Sequence, residues 1–357
     1  MKTSPHDDDH YAALDAVRGI AAVSVLLFHL GHWLEVQSIA PNGGLSVDTF
    51  FTLSGFVLAR AYTRRAATMS MKTFMLIRLI RLTPVIILAL LISASYALAK
   101  NSMSGGESYI YPIIIAVLLG SVHLPYFHAP SQIGGPQIFP LNGPQFSLFL
   151  EIVVNFFWWM LRFLNPLYLS FALYVICTVL VCIVGIGGDT ADTFVAGFYH
   201  VGSSFFIGVF AYHVSLMIGR RTVLNYLFFA LLLIMLIIFL MPVELSLEMR
   251  MLWKAVLAPL LVFSGSSVRL PKKAHRASVF IGALSYPFYA LHYPIFCWTN
   301  GIFQQLTKHR SLVVEGALVF SATVVASYLV IRYVDEPVRR YLTRLARGFA
   351  PPVRVPT

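Results

Sequence analysis

Charged residues and cysteines are scarce in this sequence. Of 357 residues, 11% are charged and 58% are hydrophobic, and this charged fraction is less than half of what soluble domains usually contain. The three cysteines, Cys177, Cys182 and Cys297, lie in apolar runs and lack the spacing of a disulfide framework or of a metal site. The composition therefore excludes an ordinary soluble domain and a small secreted domain held together by disulfides.

The start of the sequence lacks the apolar core of a cleavable signal peptide. Its first residues, MKTSPHDDDHYAALDA, are acidic and polar, so we expect the first apolar segment to remain in the mature protein. The HDDDH tract at 6–10 contains metal-ligating residue types. Because carboxylates and histidines in a terminus without a scaffold rarely form a site, we expect no bound metal.

Long apolar runs fill most of the chain, and several exceed the length needed to span a bilayer. The alternating pattern of an outer-membrane barrel is absent. The sequence therefore predicts an all-α fold, a polytopic transmembrane helical bundle with no soluble domain. We predict ten spans, at 12–34, 45–62, 84–99, 146–161, 167–185, 194–217, 222–241, 250–267, 278–300 and 312–334. A shorter segment at 110–122, bounded by prolines, is predicted to be re-entrant or peripheral.

The net charge of +11 comes mainly from arginines and lysines clustered in a few short loops. Such clusters mark cytoplasmic loops and do not predict a nucleic-acid partner. They lie on one side only if 110–122 does not cross, which predicts a multi-pass inner-membrane (cytoplasmic-membrane) protein with both termini cytoplasmic. The predicted parts are an N-terminal tail (1–11), a transmembrane domain (12–337) and a basic C-terminal tail (338–357).

The first apolar segment, ALDAVRGIAAVSVLLFHLGHW, contains Arg18 and His29. An ionisable residue inside a span is a candidate functional residue, because burying it costs free energy. Eleven residues make about three turns, so both side chains lie on nearly the same helix face, roughly 16 Å apart along the axis. Structural roles stay open: His29 could hydrogen-bond a neighbouring helix, and Arg18 could pair with Asp15 or extend to the headgroups.

Asp48 lies near the outer end of the second span, in NGGLSVDTFFTLSGF. A short loop returns it to the first span, where its carboxylate could orient the ring of His29 and raise its basicity. The alternative is an interfacial acid that is exposed to water or caps the start of the helix. Gly43 and Gly44 allow a tight approach of backbone and ligand at this turn.

Arg78 and Arg81, in FMLIRLIRLTPV, are three residues apart. They share a face of a helix that we predict to lie along the cytoplasmic surface. Two guanidinium groups on one face suit a phosphate site, and an amphipathic helix on anionic lipid fits the composition equally well.

Three further polar residues lie in apolar surroundings. In PQFSLFLE, Ser147 comes one turn before Glu151, a buried acid that needs a partner or a proton. A structural partner such as an intramembrane histidine is the alternative for Glu151. In SYPFYALHYPIF, prolines and aromatic residues flank His292, which favours a role in helix packing.

Five motifs, in order, resemble those of the acyltransferase-3 family of membrane O-acyltransferases: LDAVRGIAAVSVLLFH, GGLSVDTFFTLSGF, RLIRLTPV, PQFSLFLE and SYPFYALHYPI. The resemblance covers about residues 12–337, and the ordered set is more specific than any single motif. Phe146 stands where the family usually has tryptophan, and Leu45–Ser46 stand where glycine is common. Neither difference removes an ionisable group.

The resemblance implies transfer of an acyl group, often acetyl, from acetyl-CoA or another acyl-CoA to a hydroxyl of a surface glycan, a lipid-linked saccharide or a similar acceptor. It implies that His29 is the catalytic histidine, with Arg18 as its motif partner. Asp48 also matches a motif position and is the second catalytic candidate, because its carboxylate could orient the ring of His29. The candidate donor contacts are Arg18, Arg78 and Arg81. The other matching motif positions, candidates for acceptor binding or support, are Ser147, Glu151 and His292.

The residues themselves agree with this chemistry. An alcohol that attacks a thioester must lose a proton, and histidine titrates near neutral pH. We expect the donor to reach His29 from the cytoplasm, between helices, and the acceptor to approach from the outer side. Direct transfer and a transient acyl-histidine both fit. The alternative function is a polysaccharide or small-molecule transporter, although the sequence has no evident inverted repeat.

Overall fold

The computed structural model describes residues 11–65, 68–104, 108–307 and 311–348. Within these ranges the regular structure is helical, apart from one isolated β-bridge between Gln137 and Thr190. The uninterrupted helices are α1 (Ala12–Trp33), α2 (Ser46–Tyr62), α3 (Met71–Ser104), α4 (Ile110–Ser121), α5 (Gln145–Met160), α6 (Pro166–Val184), α7 (Phe194–Ile218), α8 (Thr222–Leu240) and α11 (Lys272–Thr307). The all-α prediction is confirmed, and the HDDDH tract lies outside the described residues.

Two long helical segments contain a π-helical turn. One turn, Trp253–Leu257, joins α9 (Leu247–Leu252) to α10 (Ala258–Gly265). The other, Ile331–Asp335, joins α12 (Leu312–Val330) to α13 (Glu336–Gly348). A π turn adds a residue to one turn of helix and so changes the direction in which the following side chains point.

Six helical segments are long and apolar enough to cross a membrane: Ala12–Trp33, Met71–Met103, Pro166–Val184, Phe194–Ile218, Thr222–Leu240 and Leu312–Ala346. A bilayer provides no water for the peptide groups, so the hydrogen bonds of each spanning segment are made within the helix. Helices α2 and α5 lie where spans are predicted but have only 17 and 16 residues. The chain is thus a multi-pass helical membrane protein, and the predicted number of ten spans stays a prediction.

The prediction of a separate surface helix around Arg78 is wrong. Helix α3 runs without a break for 34 residues and contains Pro84 in its interior. Proline usually interrupts a helix because it lacks an N–H group. In an apolar environment the neighbouring peptide groups still gain most from intrahelical hydrogen bonds, so the helix continues through the proline.

The described chain folds as two compact units. The first comprises residues up to 64, 163–186 and 198–289, and the second comprises 65–162, 187–197 and 290–348. In the first unit, α2 and α7 approach closely: a Cβ on Gly55 would overlap the carbonyl oxygen of Phe205, and one on Gly208 would overlap that of Thr52. Small residues commonly allow such close packing between membrane helices.

In the second unit, α3 and α5 pack against each other in antiparallel directions. The rings of Phe74 and Trp159 stack with centroids 4.2 Å apart. One turn further along α3, Arg78 meets Glu151, two turns earlier on α5. The loop before α5 is also tied into this unit, because Ile138 N donates to Asp189 O over 2.9 Å.

Candidate functional site

Helix α1 places Arg18 and His29 in the first unit. Arg18 Nη1 lies 3.4 Å from Asp15 Oδ1, so the pairing that the sequence leaves open is present. The half-buried ring of His29 meets the ring of Phe28 edge-on, with centroids 5.2 Å apart. It stacks on the ring of Trp33 at 5.0 Å with an interplanar angle of 15°. Aromatic neighbours before and after it therefore set the orientation of the histidine ring.

A 3₁₀ turn, Gly43–Leu45, packs on α1 next to Phe28. A Cβ on Gly43 would overlap the carbonyl oxygen of Ser24, and one on Gly44 would lie 3.6 Å from the ring of Phe28. The backbone of this turn therefore lies directly against α1, and the approach of a ligand there stays a prediction.

Asp48 is the centre of a buried polar cluster in the first unit. Its Oδ1 accepts hydrogen bonds from His200 Nε2 at 2.9 Å, Ser204 Oγ at 2.7 Å and Lys254 Nζ at 2.7 Å. Lys254 Nζ also donates to the carbonyl oxygen of His200 at 3.1 Å. Both members of the Asp48–Lys254 ion pair are 2% exposed, so the ammonium group balances a carboxylate that would be costly to bury alone.

This cluster corrects the predicted role of Asp48. The predicted carboxylate would orient the ring of His29, whereas Oδ1 instead engages His200, Ser204 and Lys254. The correction has a steric reason: Asp48 follows the Gly43–Leu45 turn by three residues, and in α2 its side chain lies between α7 and the π turn. The alternative of an exposed interfacial acid is also wrong, because the residue is buried.

Our reading of the sequence missed His200 and Lys254. The rule that singles out Arg18 also applies to them, because each is an ionisable residue inside a predicted apolar span. Their meeting with Asp48 depends on contacts over 152 and 206 residues of chain. One sequence does not contain that information.

In the second unit, Arg78 is buried instead of lying on a surface. Its side chain is 7% exposed, and Nη2 lies 2.5 Å from Glu151 Oε1. Arg81, one turn later, is half-buried and interacts electrostatically with Asp335. The helix face predicted for the arginines therefore exists, and both cations already have a carboxylate nearby, Glu151 for Arg78 and Asp335 for Arg81.

The remaining candidates also lie in the second unit. Ser147 Oγ donates to the carbonyl oxygen of Pro144 at 3.0 Å, within the first turn of α5. His292 lies on α11 and is 1% exposed. The structure thus brings Arg78 to Glu151, one turn from Ser147, and places Arg18, His29 and Asp48 in the other unit.

His123, two residues after the end of α4, is another buried ionisable residue of the second unit. It is 4% exposed, and its Nε2 lies 3.1 Å from Thr83 Oγ1 of α3. Burial disfavours the charged ring and lowers the pKa of His123 to about 4. The ring is therefore neutral at physiological pH.

We expect acid to destabilise the protein through His123. Between its ordinary pKa of 6.5 and about 4, the unfolded chain binds a proton that the folded chain does not. The free energy of unfolding therefore falls as the pH falls through this window, by up to about 3 kcal/mol. Thermal unfolding in detergent from pH 7 to pH 4 measures this loss. His123→Gln should remove most of it, and His128→Gln, at an exposed position, should keep it. An unchanged pH dependence in H123Q would contradict this account.

Metal ligands are not grouped in the described ranges: no cluster of three or more His, Cys, Asp or Glu side chains there could hold a metal ion. The side chains present suit a general base, at His29, and anion binding by arginines. A half-buried imidazole can accept a proton, and arginine side chains can bind an anion.

Comparisons with known proteins identify the family of the chain. The profile of the acyltransferase-3 family, described as an acyltransferase domain, matches residues 11–332. Over 165 residues the chain is 32% identical to Protein 2 in picA locus of Rhizobium radiobacter, a match that covers 43% of this chain and 83% of that protein.

The chain is also similar to proteins of Staphylococcus aureus that are named as O-acetyltransferases. With the one from strain COL it shares 31% identity over 93 residues, which is 25% of this chain and 14% of that protein. The protein from strain MSSA476 matches to the same extent. No solved structure matches the chain.

Proposed function

Since the chain belongs to the acyltransferase-3 family and is a membrane acyltransferase, we propose that it acylates a hydroxyl group, with acyl-CoA as the donor. Acetyl is the acyl group that we propose, because the staphylococcal relatives are named as O-acetyltransferases. The acceptor is a surface glycan, a lipid-linked saccharide or a similar hydroxyl compound. Family membership decides against the alternative of a transporter without acyl-transfer activity.

The observation that carries the proposed mechanism is the half-buried ring of His29, held between Phe28 and Trp33. In direct transfer, the imidazole takes the proton of the acceptor hydroxyl as its oxygen attacks the thioester carbonyl. The carbon–sulfur bond then breaks, and the thiolate takes the proton from the imidazolium. In the other route, a ring nitrogen attacks the thioester carbonyl, the carbon–sulfur bond breaks and the thiol leaves with the ring proton. The hydroxyl then attacks the acyl group, the acyl–nitrogen bond breaks, and the hydroxyl proton returns to the ring.

The candidate donor contacts in this proposal are Arg18 in the first unit and, separately, Arg78 and Arg81 in the second. Their guanidinium groups suit the phosphates of acyl-CoA, because arginine forms paired hydrogen bonds to phosphate oxygens. Each interacts with a carboxylate, at Asp15, Glu151 and Asp335 respectively. Donor phosphate would therefore have to share or displace these carboxylates.

The proposed orientation places both termini in the cytoplasm, with ten spans in the inner membrane and α4 as a re-entrant or peripheral helix. Its support is the clustering of basic residues in short loops. The length of α4 adds to that support, because 12 residues span about 18 Å and the hydrocarbon core is about 30 Å thick. A reporter fused after residue 130 is expected on the outer side, and a cytoplasmic signal would contradict this topology.

Purified protein with labelled acetyl-CoA tests the function. Release of free CoA together with labelled ester in a glycan acceptor is the expected result. If folded protein forms neither product, the proposal is overturned.

Arg81→Ala should raise the apparent KM for acetyl-CoA with a smaller effect on kcat, because it removes a cation that we propose to bind the donor. The matched control is Arg220→Ala, at an exposed position before α8, which should keep the wild-type KM.

A further inference from the structure

The turn between α1 and α2 is held at one end by a single buried amide. The side chain of Asn42, which is 1% exposed, makes three hydrogen bonds to backbone. Its Nδ2 donates to the carbonyl oxygens of Ile238 at 3.2 Å and Val243 at 2.8 Å, and its Oδ1 accepts from Leu245 N at 2.9 Å. This amide joins the start of the turn to the end of α8 and the segment after it.

The other end of the turn is held by Asp48. Donors from α7 and from the π turn converge on its Oδ1, namely His200 Nε2, Ser204 Oγ and Lys254 Nζ. Lys254 is the second residue of the π turn. A buried ion pair of this kind contributes little net stability but strongly disfavours arrangements that separate the charges. The N-terminal end of α2 is therefore fixed in position.

The segment between these two anchors bears on the helix that carries His29. Gly43 packs on the backbone of α1 at Ser24, and Gly44 packs on the ring of Phe28. The ring of Phe28 in turn meets the ring of His29 edge-on. A continuous series of contacts thus leads from the Asn42 and Asp48 side chains, through the turn and Phe28, to the ring of His29.

We propose that Asn42, Asp48, His200 and Lys254 form a clamp that sets the position of the His29 ring through the Gly43–Leu45 turn and Phe28. The inference rests on the proposed role of His29 in acyl transfer. All four are positioning residues, because they act through the turn and not on the donor or acceptor. A base misplaced by about 1 Å can lose as much as 10²-fold in rate, so a rigid support for the ring has a direct catalytic consequence.

A second catalytic pair of His200 and Asp48 fits the geometry less well. The carboxylate is already engaged by the ammonium group of Lys254, which donates to the same Oδ1 as the ring. His200 Nδ1 is fully buried and makes no hydrogen bond within the described residues. A nitrogen buried in this way is not exposed to a substrate hydroxyl, which favours a supporting role for the pair.

Kinetics of three variants test the clamp. Lys254→Met removes the ammonium group and keeps most of its volume, and Phe28→Leu removes the ring contact without touching the buried charges. For both, we expect kcat to fall by at least about tenfold while each KM changes by less than about twofold, because only the reacting geometry is disturbed. In Asp48→Asn with Lys254→Met, the amide oxygen still accepts from His200 and Ser204, so most of the lost kcat should return. Lys272→Met, at an exposed position, is the matched control with wild-type kinetics.

Three results would overturn the clamp: a folded Lys254→Met variant with wild-type kcat, a loss confined to KM, or no recovery in the double variant. If Lys254→Met does not fold, Phe28→Leu decides, and a wild-type kcat there overturns the inference. His29→Ala separates this inference from the proposed function. An inactive H29A beside fully active clamp variants removes only the clamp, whereas an active H29A removes the proposed role of the histidine.

Discussion

Replacing His29 by alanine is expected to lower the rate of acyl transfer by about 10²–10⁴-fold, the usual contribution of a general base. Without the imidazole, the acceptor hydroxyl keeps its proton as it approaches the thioester. The acyl-histidine route would be lost as well, because its nucleophile is gone. The measurement is transfer of labelled acetyl from acetyl-CoA in washed membranes that contain equal amounts of wild-type and variant protein.

The chain offers a matched control on the same helix. His32 lies three residues after His29, is exposed and belongs to the last turn of α1. His32→Ala removes an imidazole from the same segment without touching the ring that Phe28 and Trp33 hold, so it should keep nearly the full rate. Full activity of His29→Ala would show that His29 is neither base nor acyl carrier.

Replacing Glu151 by leucine is expected to lower the free energy of unfolding by about 3–5 kcal/mol. Arg78 is 5% exposed and has Glu151 as its ion-pair partner. The substitution would leave its guanidinium in the interior without that carboxylate. Thermal or denaturant unfolding of the detergent-solubilised protein measures the loss.

Two comparisons separate the buried pair from a general effect of mutation. The double variant Arg78→Met with Glu151→Leu removes both charges, and we expect it to be more stable than Glu151→Leu alone. Glu244 pairs with Arg250 at the surface and is 63% exposed, so Glu244→Gln should cost less than about 1 kcal/mol. An equally small loss in Glu151→Leu would show that the buried guanidinium of Arg78 does not depend on this carboxylate.

The helices could be predicted from the sequence because membrane spans leave a strong local signal. Helix α1 ends within one residue of the predicted span 12–34, and α6 is displaced by one residue from 167–185. Long apolar runs bounded by polar or helix-breaking residues determine these positions without reference to the rest of the chain. The motif around Arg18 and His29 is local in the same sense.

Partners across helices could not be predicted in this way. Asp48 lies near His29 in the sequence, but its hydrogen bonds go to residues on α7 and the π turn. Proline usually breaks a helix, yet the apolar surroundings keep α3 continuous through Pro84. Both outcomes depend on which segments pack together, and hydrophobic pattern alone does not determine that.

The continuity of α3 has a consequence for the choice of donor. Its 34 residues make a rod about 51 Å long, roughly 20 Å more than the hydrocarbon core of a bilayer. Arg78 and Arg81 are fixed points on this rod, and no loop has to become ordered to bring them to a phosphate. If these arginines bind the donor, the rigid helix α3 fixes the depth at which its phosphates are held. With the phosphates held at one depth, the length of the donor's own arm determines how far its thioester reaches into the protein.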